Sequence, residues 1–170
     1  MKSRREYDII RKAKLQQNST NIIQKRGKKM NVVGLWKIKK AVQFDAATMK
    51  MVEKDVDAII ADSSIPDDEK KMLYAKFLFT EDGWIKTLFP IPEDIPKEEL
   101  DEMLESGEME LYGDSFLVIE KKGWKEEDGK LKFDTGTKGE VMGEAVDPWA
   151  EIKETEYGIM LMVYGLEKEE

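Results

Sequence analysis

Two stretches of this chain share one turn grammar and a third is a close variant of it, and that repetition constrains the fold more than any other feature. Thr80-Glu81-Asp82-Gly83 separates apolar runs at residues 73–79 and 84–89, and Glu126-Glu127-Asp128-Gly129 separates runs at 116–125 and 131–133. An Asp-Gly pair supplies the positive φ angles that a right-twisted hairpin needs at its turn. A third pair of runs, 149–155 and 159–166, turns through Glu156-Tyr157-Gly158. Hairpins of this kind hide one face against further strands, so the chain should be built of antiparallel β-structure.

The remaining segments fill in around those hairpins. Val32-Val33-Gly34-Leu35-Trp36-Lys37-Ile38 alternates apolar and polar positions and reads as a strand ending near Val42. Phe44-Asp45 then opens a helical segment in which Asp45 serves as N-cap and Met49, Val52, Val56, Ile59 and Ile60 recur at helical spacing as far as Ala61. Ser64 caps a short helix with Pro66 in its first turn, ending near Met72, and Asp94 to Ser106 forms another that stops at Gly107. One more strand is expected over residues 139–146. The fold class is therefore mainly β, with about eight or nine short strands. We expect an antiparallel up-and-down barrel, a helical insertion after strand one and a short helix mid-chain, because closing the sheet removes its exposed edges.

Composition narrows the chemistry. The 170 residues include no Cys and no His, so thiolate or imidazole catalysis, disulfides and Cys- or His-ligated zinc are excluded. Arginine occurs only at Arg4, Arg5, Arg11 and Arg26, which leaves everything beyond Met30 without a bidentate fork for carboxylate or phosphate. Residues 1–29 hold ten bases and two acids, whereas residues 30–170 hold 18 bases against 34 acids. An acidic body of this kind repels nucleic acid and anionic membrane. The expected division is a basic tail at 1–29, disordered or an upstream mis-start, and a barrel domain at 30–170. Lys25-Arg26-Gly27-Lys28-Lys29 can be encoded by purine codons alone, as a ribosome-binding site would be, which makes Met30 a candidate start. No stretch has the length of a membrane span or the apolar core of a secretory signal, so a cytoplasmic location is expected.

Gly34-x-Trp36 at the end of a first strand, followed by Phe44-Asp45, a helical segment and a meander of hairpins, resembles the calycin superfamily of lipocalins and fatty-acid-binding proteins. The resemblance implies that Gly34 and Trp36 form a structural plug across the closed end of a barrel. It also implies a ligand held inside. The internal arginines by which fatty-acid-binding proteins hold a carboxylate are missing from the body of this chain, and Lys86 or Lys132 would have to substitute.

Aromatic strand residues are the candidate ligand contacts: Phe77, Phe79, Trp84, Phe89, Phe116, Trp124, Phe133, Trp149 and Tyr164, joined by Lys86. The competing reading is that they fill the barrel. Glu140, Met142 and Glu144 would share a strand face, with Glu144 the better candidate to meet a ligand or cation, although solvated acids are commoner in so acidic a chain. Pro90-Ile91-Pro92 and Asp147-Pro148-Trp149 are stiff segments that either form part of a ligand entrance at a barrel mouth or only stop strands and blunt edges. No metal site and no cofactor are expected. Three functions remain open: non-enzymatic binding of a small, mostly apolar, neutral or cationic ligand; a packed domain that meets a protein partner; and a carboxylate-dependent enzyme relying on Glu144.

Overall fold

In the computed structural model, which describes residues 30–170, the first strand pairs with three others. β1 (Gly34–Asp45) buries Trp36 and Ile38 on one face and exposes Lys37 between them. Its first four residues pair with β3 (Lys76–Phe79), and its last six pair on the same side with β2 (Lys50–Asp55). A bulge between Ile38 and Lys40 lets its other edge follow β12 (Tyr164–Lys168), from Trp36 opposite Lys168 to Ala41 opposite Tyr164.

The expected helix from Asp45 to Ala61 is replaced by a hairpin and a single turn of helix. Asp45 does not cap a helix. Its carboxylate accepts from the Ala47 amide at 3.1 Å and the Thr48 hydroxyl at 2.7 Å, closing a tight turn in which Met49 takes a left-handed φ of 55°. β2 then runs back along β1, and only α1 (Val56–Ala61) is helical, burying Val56 and Ile59. The spacing of Met49, Val52 and Val56 suits a helix, but pairing against β1 satisfies the backbone of six residues at once, and that tertiary gain overrides the local pattern.

A second short helix, α2 (Asp67–Lys70), starts after Pro66 and continues as a 3-10 turn over Lys71–Tyr74. Ser64 donates its hydroxyl to Asp62 at 2.6 Å instead of capping α2. β3 and β4 (Trp84–Pro90) form the first expected hairpin, with Gly83 at φ 90°. After α3 (Lys97–Glu105), which stops at left-handed Gly107, a short β5 (Glu110–Tyr112) pairs with β6 (Phe116–Glu127). β6 and β7 (Lys130–Asp134) meet at Asp128-Gly129, φ 54° and 75°, the two-residue turn that Asp-Gly signalled.

Two further expectations are corrected. Residues 139–146 do not form one strand but a separate hairpin, β8 (Glu140–Val141) and β9 (Glu144–Ala145), reversed at left-handed Met142 and Gly143. The last apolar run is also divided. After β10 (Trp149–Glu154) the chain forms β11 (Ile159–Leu161), reverses at left-handed Met162, and returns as β12.

Eight strands close into an antiparallel barrel in the order β1-β3-β4-β6-β7-β10-β11-β12, with β12 returning to β1. Neighbours in this ring follow the order of the chain, with β2, β5 and β8–β9 as excursions, so the barrel is up-and-down. Residues 33–170 make one compact unit. The expectation of a basic tail at 1–29, or of a start at Met30, concerns residues outside the described ones.

Trp36 is 1% exposed and sits edge-on to Phe79, with ring centroids 6.1 Å apart. Lys168 lies across it with its ammonium 5.8 Å from the ring. Two glycines make that arrangement fit. A Cβ on Gly34 would come within 2.8 Å of Lys168 Cε, and one on Gly158 would overlap the Leu166 carbonyl and approach the Trp36 ring to 3.1 Å. Because the Leu166 carbonyl belongs to the β11–β12 ladder, it cannot move away cheaply. Gly158→Ala should therefore destabilise the fold by about 2–3 kcal/mol, read as a lowered urea midpoint with an unchanged slope.

Candidate functional site

Strand alternation sorts the candidate contacts onto two faces. Phe77, Phe79 and Phe133 are buried on the inner face at 2%, 0% and 4% exposure. Trp124 pairs with Phe133, lies 6.1 Å from Phe79, and donates its indole N–H to the Thr80 carbonyl at 3.1 Å. Tyr164 is half-buried 6.2 Å from Phe77. Ring contacts join Trp36 to Phe79, Phe79 to Trp124 and Phe77 to Tyr164, while Phe133 is placed beside Trp124 by strand pairing.

The other candidates lie elsewhere. Trp84 alternates with the buried Ile85 and is 45% exposed on the outer face. Lys86, also outside, bonds the Glu110 carboxylate at 2.6 Å, and Lys121 takes its other oxygen. Trp149 packs outside, with Lys125 stacked 4.3 Å over its ring and Gly123 clearing space beneath. Lys132 is held by Glu127. Glu144 is exposed on the separate β8–β9 hairpin, opposite Val141 rather than facing the barrel. Among the described residues no group of three acidic side chains is arranged to hold a metal ion, and no helix is long and apolar enough to cross a membrane.

Among the described residues, an open cleft of about 470 Å³ forms where the 3-10 turn enters β3 and β4 leaves the barrel. Its walls are Tyr74, Phe89, Pro90, Ile91 and Pro92, and its rim carries Lys71, Glu93 and Asp94. Local chemistry fixes this shape. Pro90 and Pro92 stiffen the segment, the Ile91 amide donates to the Ser115 carbonyl at 3.0 Å, and the Ile95 amide donates to the Pro92 carbonyl at 3.3 Å. Lys71 is already engaged, its ammonium 2.6 Å from Asp68. That bond raises the lysine pKa and lowers that of the aspartate, so the pair stays ionised and internally neutral. Glu93 and Asp94 are exposed at the rim, which leaves the mouth of the cleft net acidic. Pro90-Ile91-Pro92 was legible as a barrel-mouth segment, whereas Tyr74 belongs to a 3-10 turn that gives no periodic signal.

A second feature escapes the sequence pattern. Glu120 and Lys122 pair with Thr87 and Ile85, residues 7% and 2% exposed on the inner face. Paired residues in an antiparallel ladder share a face, so this ion pair, 3.4 Å apart, faces inward. A smaller polar hollow of about 280 Å³ between β1, α1 and β12 is bordered by the Lys37 and Lys39 pairs to Glu167.

No protein-family model matches the chain, no curated protein matches its sequence, and no solved structure matches its fold.

The Lys86–Glu110–Lys121 cluster ties β5 to the outer wall. Hydrogen bonds from Lys121 and Lys86 hold the Glu110 pKa below the ordinary carboxylate range. A lowered folded-state pKa stabilises above the unfolded value, about 4.3, and that contribution is lost as pH falls through the folded one. The urea midpoint should thus fall between pH 5 and 3 less steeply in Glu110→Gln than in the parent chain. Parallel curves would show that the cluster contributes nothing.

Proposed function

We propose that this chain is a calycin-like barrel that binds a small, mostly apolar, neutral or cationic molecule without chemically changing it, and that binding takes place in the cleft beside the 3-10 turn. The observation that carries this reading is the cleft itself: about 470 Å³, within the size range of small-molecule sites, with aromatic and proline walls and acids at its mouth. Apolar walls supply affinity through burial, at roughly 25 cal/mol per Å² removed from water. Tyr74, 51% exposed, offers a ring face to a cation, and Glu93 and Asp94 supply the counter-charge. A carboxylate ligand would meet those acids while the nearby ammonium of Lys71 is bound to Asp68. The buried ring cluster speaks for a filled barrel interior, which is why the ligand is assigned to the barrel's end.

A protein-interaction role is the second reading, favoured by the β1–β2 ribbon, where Phe44, Met49 and Met51 are 57%, 74% and 60% exposed.

Isothermal titration with benzyltrimethylammonium, benzyl alcohol and benzoate tests the ligand reading. The cation should bind best, the alcohol more weakly and benzoate least. Tyr74→Ala should weaken the cation about tenfold, on the scale of one cation–π contact. Absence of heat or of chemical-shift change with all three would overturn the cleft assignment and leave the interaction reading.

A further inference from the structure

The barrel wall is incomplete along one strand. β5 takes the free edge of β6 at residues 116–118 and β7 takes it from Trp124 onward. Among the described residues, 120–123 have a strand neighbour on the β4 side alone, and Ile119 is the extra residue of a bulge. This is where Glu120 and Lys122 face inward. Row by row the ladder runs from Trp36 to Phe77, Thr87 and Glu120, three buried side chains and then a carboxylate. Burying an ion pair among such neighbours costs several kcal/mol per ion unless water or other partners reach it. Water does reach it, since the Glu120 side chain is 48% exposed and that of Lys122 23%.

We propose that the gap between β5 and β7 is a side entrance to the inner face of the barrel, and that Glu120 and Lys122 form a binding site there for a small zwitterion. The site is independent of the cleft beside the 3-10 turn. Its charge selects the ligand. A lone carboxylate that captures Lys122 strips Glu120 of its partner, and a lone amine that captures Glu120 strips Lys122. A molecule carrying both charges replaces one ion pair with two and leaves the inner face neutral. An α-amino acid carries both charges.

Because the chain contains no Cys, accessibility can be read from single introduced thiols. In the full chain, Glu120→Cys should react with a small charged methanethiosulfonate at least about tenfold faster than Thr87→Cys, its in-register neighbour, since thiol reaction follows access. Binding is read on the unmodified 15N-labelled chain. L-leucine should shift the amide signals of residues 119–123, and 4-methylpentanoate and isoamylamine, which each lack one of its charges, should shift them less. Glu120→Gln and Lys122→Met should each abolish the leucine shifts. Equal reactivity of the two thiols would overturn the entrance. A reactive Cys at 120 with no leucine shift at 119–123, or leucine shifts that survive both substitutions, would overturn the zwitterion site.

Discussion

The structure depends on how β12 closes onto β1. At that seam Trp36 is clamped between Phe79 on its edge and Lys168 across its face, and Ile38 lies level with Leu166. The contact is at once a hydrophobic plug, a cation–π pair and the last rung of a closed ladder. It requires bare backbone at Gly34, where Lys168 passes, and at Gly158, where the β10–β11 turn approaches both Trp36 and the Leu166 carbonyl. Without closure β1 and β12 would be edge strands with unpaired backbone groups.

Closure also determines where anything can bind. Trp36, Phe79, Ile159, Leu161 and Leu166 are essentially inaccessible, so the inner face near the seam is occupied by its own side chains. The ladder is interrupted in two places. One interruption is at the end of β4, where prolines terminate pairing and the 3-10 turn lies across from them. The other is along β6, where β5 has ended and β7 has not begun. The β1–β2 ribbon is an edge of a different kind. A second copy joining β2 about a two-fold axis would set Lys50 against Lys54, or Glu53 against itself, so its charges oppose self-pairing while its methionines stay exposed.

Several elements were legible residue by residue. Asp128-Gly129 and Thr80-Glu81-Asp82-Gly83 announced their hairpins because only particular residues tolerate the required backbone angles. Phe77, Phe79 and Phe133 were legible as strand aromatics alongside Trp84 and Trp149, and only the structure separated the buried from the outer ones. Met49, Met142 and Met162 were not legible as turn residues, since methionine carries no preference for left-handed φ and occupies it here because the paired strands on either side dictate the reversal. The helix expected from Asp45 failed for a related reason: its apolar spacing is helical, and pairing with β1 overrode it.

By itself, then, the sequence determined the secondary-structure class, the Asp-Gly hairpin turns and the acidic cysteine-free chemistry, because these rest on composition and on local backbone preference. Only the tertiary structure decided that Trp84, Lys86 and Trp149 lie outside, that Glu120 and Lys122 face inward, and that a cleft forms around Tyr74 and Pro90-Ile91-Pro92. Those properties depend on register and on where one strand stops relative to the next. Register is set by pairing between residues far apart in the chain, and no local pattern encodes it.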